Sequence, residues 1–157
     1  MRTRRRLSVW LLPAMLLSGC YTFGASISIL PADQAASFTL EEQENAKGIA
    51  LEIGRAAGFW QTDVAEILAA SPSSSPYVAF VSLGAPGGNP EHRYVSIMGR
   101  MRKDRRELEI SVGDDMRGEP TPATAQLIEE LHVALQRAFP DCRVAVTHRK
   151  ELHLFAP

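Results

Sequence analysis

Leu108, Ile110 and Val112 alternate with Glu107, Glu109 and Ser111. This period of two predicts a half-buried strand over 107–112. Arg93–Met101 repeats the pattern less cleanly, with Val95, Ile97 and Met101 on one side and Tyr94, Ser96, Met98 and Arg100 on the other. Tyr77–Leu83 is rich in β-formers and apolar on both sides, which suits a central strand. Short connections join the three, so an antiparallel meander is expected. Cys142–Thr147 predicts a further strand through Val144 and Val146, and Leu152–Phe155 either prolongs it or folds back.

The helical period appears twice. Ile49, Ile53, Ala57 and Trp60 step by four, four and three within Leu40–Gly58. Thr39 and Glu42 have capping-box spacing at its start, and Gly58 is a suitable stop. A second stripe, Ala46, Ala50, Gly54 and Gly58, recurs every four residues. Glycine inside a helix costs about 1 kcal/mol against alanine, so this stripe predicts close approach of the helix to its own sheet or a neighbouring helix. The second helix opens at Thr121-Pro122, a cap followed by proline at the first turn, and carries Leu127, Ile128, Leu131, Leu135 and Ala138. Thr62–Ala70 fits a short extra helix, followed by a Ser/Pro loop over 71–76. Residues 21–38 read as a tether, with at most a short extended piece at Ser26–Leu30.

Strands in a run, not alternating with helices, predict an α+β domain. The expected form is an antiparallel sheet of about four strands with two or three helices on one face, in the order α-(α)-β-β-β-α-β. The chain has 157 residues, enough for one domain, and 45% of them are hydrophobic, which excludes wholesale disorder.

Charge changes the picture more. Arg2, Arg4, Arg5 and Arg6 give the first nineteen residues +4 with no acid, which leaves −5 on the rest. A basic start followed by the apolar run Leu7–Leu17 is the pattern of a secretory signal. Eleven residues at 1.5 Å each span roughly 16 Å, too short for a bilayer core, and Pro13 interrupts them. Leu17-Ser18-Gly19-Cys20 resembles the lipobox of bacterial lipoproteins, L-[AS]-[GA]-C, at all four positions. The resemblance covers residues 1–20 only. It implies cleavage before Cys20, a thioether-linked diacylglycerol on its sulfur and an acylated new N-terminus. Two or more chains hold a protein stably where one binds only marginally. In enteric-type lipoproteins an aspartate after the cysteine favours inner-membrane retention. Tyr21 at that position therefore implies the outer membrane, facing the periplasm. The expected organisation is a signal peptide over 1–19, a lipidated N-terminus and tether over 20–38, and one α+β domain over 39–157. Cys142 would be the one thiol left in the mature chain, without an intrachain disulfide partner.

Candidate chemistry in the domain is sparse. Gly84–Pro90 lacks the terminal Lys-Ser/Thr of a phosphate loop, and Pro90-Glu91-His92 leads into a strand. There is no H-E-x-x-H, C-x-x-C or G-x-S-x-G, so no metal, cofactor or catalytic residue is assigned. His92, His132, His148 and His153 read as solvated or core-edge residues, and a role for any of them stays open. One charge feature is concentrated: Arg100, Arg102, Lys103, Arg105 and Arg106 at the tip between two strands. These are the candidate contacts to an anionic surface. Taken together, the residues favour a non-catalytic envelope lipoprotein that binds or scaffolds another envelope protein, with the membrane reached through Cys20 and no nucleic-acid partner. The alternatives are a small lipid-anchored periplasmic hydrolase, or a binder of anionic lipid surfaces through the basic tip. Oligomeric state is left open.

Overall fold

The computed structural model describes residues 20–33, 35–64, 74–85, 94–114 and 119–153. The signal segment, the expected helix beyond Val64, the Gly84–Pro90 loop past Ala85, and His92 lie outside them. The fold is α+β. It has strands β1 (Cys20–Pro31), β2 (Trp60–Gln61), β3 (Tyr77–Gly84), β4 (Val95–Arg102), β5 (Leu108–Asp114) and β6 (Cys142–His153). Helices α1 (Leu40–Ala56) and α2 (Pro122–Ala138) complete the described elements. The strands form one antiparallel sheet in the order β2-β3-β4-β5-β1-β6.

The expected class holds, but six strands replace about four. The main difference corrects the tether. Residues 20–31 form a twelve-residue strand flanked on both sides, with β5 from Phe23↔Asp114 to Ile29↔Leu108 and β6 from Cys20↔His153 to Pro31↔Cys142. The physical reason is burial. Phe23, Ala25, Ile27 and Ile29 all point into the core at 7% exposure or less, while Thr22, Gly24, Ser26 and Ser28 occupy the opposite, half-buried side. Residues 20–31 are therefore part of the folded sheet, which does not wait for Thr39 to start. β2 was not expected either; a two-residue edge strand carries no readable period. β6 runs unbroken to His153, so the hairpin alternative for Leu152–Phe155 is excluded as far as the described residues reach.

Both helices pack against the inward side of the sheet and against each other. α1 starts as expected: Thr39 Oγ1 accepts the Glu42 N–H at 3.2 Å, and Glu42 Oε2 accepts the Thr39 N–H at 2.7 Å. It ends in a Schellman motif, with Gly58 N–H donating to the Arg55 carbonyl and Phe59 N–H to the Gly54 carbonyl. Gly58 sits at φ 85°, which only glycine adopts without strain. α2 is capped by Thr121, whose Oγ1 accepts the Thr124 N–H at 3.1 Å, and buries Leu127, Ile128, Leu131 and Leu135.

The face that α1 buries is the small-residue stripe. Ala46, Ala50 and Gly54 are buried, whereas Ile49 and Ile53 are half-buried and Trp60 is 61% exposed on edge strand β2. A Cβ on Gly54 would stand 2.8 Å from Leu83 Cδ1, so the helix backbone lies close over β3. The stripe thus serves packing on the chain's own sheet. Gly99 in β4 is tighter still. A Cβ there would lie 2.5 Å from Val81 Cγ1 and 2.6 Å from the Phe80 ring. Val81 is fully buried, and its β-branched side chain cannot swing aside. Gly99→Ala is expected to cost about 1–3 kcal/mol. Urea unfolding would show this as a lower midpoint at unchanged slope; an unchanged midpoint would contradict the packing.

Candidate functional site

The side of the sheet away from the helices carries arginines, and the structure sorts the basic run of the sequence across it. Arg100 does not belong to a free knob. It pairs in register with Glu109 across the β4–β5 hairpin, forms an ion pair with it, and lies over the Tyr77 ring at 5.4 Å. Glu109, 6% exposed, also accepts a 3.4 Å bond from Ser26 Oγ. Glu107 is engaged separately, by the Tyr77 hydroxyl at 2.9 Å. Burial and these two carboxylates hold the Tyr77 hydroxyl above its ordinary value of 10.0. The acids nearest the hairpin are therefore already committed to Arg100 and Tyr77.

Lys103 and Arg105 shape the turn through their backbones. Lys103 N–H donates to the Pro76 carbonyl, Arg105 N–H to the Arg102 carbonyl, and the Arg105 carbonyl accepts from Phe38. Arg105 sits at φ 61°, and its Nε is buried without a hydrogen-bond partner among the described residues. Asp104 accepts the Arg106 backbone N–H at 3.2 Å and pairs with Arg102. The Arg106 N–H, assisted by Arg102, holds its carboxyl below the ordinary 3.8.

Arg102 and Arg106 reach a cleft of about 480 Å³, whose other lining residues are Leu30, Pro31, Ala32 and Arg143. Arg143 enters through the register of β6 on β1, where it stands opposite Leu30. Among the described residues, neither Arg106 nor Arg143 has an ion-pair partner within 4.0 Å. Three arginines thus line one space together with an apolar wall. Of the five cations singled out in the sequence, two line it, three serve elsewhere, and the third lining arginine was not among the five.

The cleft lies at one end of β1 and Cys20 at the other. Leu30 is ten residues from Cys20 along a continuous strand, roughly 33 Å at about 3.3 Å per residue.

The histidines fall into two groups. His132 and His148 line a separate cleft of about 380 Å³ with Glu129, Ile128 and Val146. His132 Nδ1 is 3.9 Å from Glu129 Oε2, and the His148 ring stacks obliquely on Phe23 at 5.8 Å. His153 ends β6 five positions after His148. Cys142 is half-buried, and burial, with Glu42 and Asp141 nearby, pushes its thiol above the ordinary 9.0. It is thereby a poor nucleophile. Among the described residues no three His, Cys, Asp or Glu side chains gather as a metal shell.

No protein-family model matches the chain, and no curated protein matches it closely enough to count as a relative.

Proposed function

We propose that the chain is a lipid-anchored protein of the bacterial envelope, held in the outer membrane facing the periplasm, which binds or scaffolds another envelope component without catalysis. The anchor is the diacylglycerol expected on Cys20. The observation that carries the reading is the span of β1: the lipobox cysteine starts it and the arginine cleft closes it. A strand paired on both sides has no slack. With a lipid at one end, the opposite end becomes the surface farthest from the attachment point along that strand. Such an arrangement suits presentation of a binding end to a second component.

A photo-crosslinking residue placed at position 32, exposed on the cleft's apolar wall, in the anchored protein in intact cells tests this and keeps all three arginines. A discrete adduct is expected there, lost when Cys20→Ala removes the anchor. Position 52, exposed on α1, serves as the comparison and is expected to give none. No adduct at 32, or the same adducts at both positions, would count against a docking end.

The hydrolase reading keeps one specific observation, the His132–Glu129 pair in a cleft shared with His148. A histidine beside a carboxylate can serve as a general base toward water. Among the described residues, the cleft's lining offers no serine, threonine or cysteine nucleophile. The geometry supports binding at the arginine cleft better.

A further inference from the structure

We infer that the cleft framed by Arg102, Arg106 and Arg143 is a binding site for a phosphomonoester carried on a small apolar group. The inference deepens the binding reading above by naming the chemistry recognised at the far end of β1, and it does not require the lipid.

Three observations converge. First, the cations come from separate parts of the chain: Arg102 from the end of β4, Arg106 from the turn, and Arg143 from β6 two strands beyond β5. Arg102 and Arg106 share one sequence run, and the fold brings Arg143 to them. Second, the acids of the hairpin are spent elsewhere, Glu109 on Arg100 and Glu107 on Tyr77. Asp104 neutralises only Arg102 by direct contact. The cleft therefore keeps about two net positive charges, which complements a phosphate whose second ionisation falls at about pH 6. Third, Leu30, Pro31 and Ala32 give it an apolar wall. Guanidinium forks match phosphate oxygens in pairs, and several converging forks favour the tetrahedral dianion over a single planar carboxylate. The apolar wall would take whatever the phosphate is attached to.

The same chemistry could come from a free phosphorylated metabolite or from a lipid headgroup. The experiment separates them. Titration calorimetry is run on the full chain in phosphate-free buffer, with phenyl phosphate as the probe. Phenyl phosphate is expected to bind more tightly than inorganic phosphate and more tightly than benzoate. Arg143→Gln and Arg106→Gln are each expected to weaken it about tenfold or more, the scale of a lost charged hydrogen bond. Arg149→Gln removes the same charge from the same strand outside the cleft and is expected to change affinity less than twofold. Arg106, Arg143 and Arg149 are all exposed, so the variants should keep the fold, which circular dichroism checks. Competition by phosphatidylcholine vesicles containing phosphatidic acid would support the site and assign it to a headgroup. Phenyl phosphate binding that such vesicles leave unchanged would support it and assign it to a free ligand. Benzoate binding as tightly as phenyl phosphate, equal losses from Arg143→Gln and Arg149→Gln, or no binding of phenyl phosphate at millimolar concentration would each overturn the inference. None of those results bears on the crosslink at position 32. Conversely, loss of that crosslink leaves the phosphate measurement standing.

Discussion

A chain beginning at Ala32 is expected to lose its cooperative unfolding transition, while a chain beginning at Cys20 keeps it. The shorter chain lacks only what the sequence suggests is a tether, so a true tether would leave stability untouched. In the structure those residues are the strand between β5 and β6. Their removal withdraws Phe23, Ile27 and Ile29 from the core, where both isoleucines are fully buried. At about 1.5–3 kcal/mol per buried side chain, the loss is roughly 5–9 kcal/mol. Total stability of a small domain is about 5–15 kcal/mol, so little or none remains. β6 would also lose its only described strand partner. The check is near-ultraviolet circular dichroism with a urea titration of both chains. Equal midpoints would show that β1 contributes nothing.

Cys20→Ala is expected to abolish fatty-acid labelling and to leave the protein unanchored or unprocessed. Each buried methylene contributes about 0.8 kcal/mol, so two or three acyl chains hold a protein where none would. The fold gives this substitution a clean interpretation. Cys20 is the first residue of β1, and its described strand partner is His153 near the end of β6. Stability should therefore change little while attachment is lost. A Cys20→Ala chain that still takes up label, or that begins at residue 20 and still pellets with membranes after a high-salt wash, would remove the basis of the anchor.

The two helices and strands β3 to β6 were legible because their periods are long and their caps have local signatures. β1 was not, although Phe23, Ala25, Ile27 and Ile29 do alternate. The intervening Gly24, Ser26 and Ser28 are small and uncharged, as in a linker. They suffice on a sheet face that no described helix covers, and only pairing with β5 and β6 reveals the strand. On α1 the larger isoleucines drew the expected core face, yet close approach to β3 selects alanine and glycine. The candidate site divides the same way. Arg102 and Arg106 stand out as part of a local charge run. Arg143 does not, because a register across β1, more than a hundred residues distant in sequence, brings it to the cleft. Arg100 looks equivalent to its neighbours until the hairpin places Glu109 opposite it.

The proposed attachment at one end of β1 depends on what Cys20 carries. The intact mass of the chain purified from native membranes reads this directly. The expected species begins at residue 20, with a diacylglycerol on the sulfur and a further acyl group on the amine. A chain that retains residue 1, or one with an unmodified thiol at position 20, would contradict the arrangement.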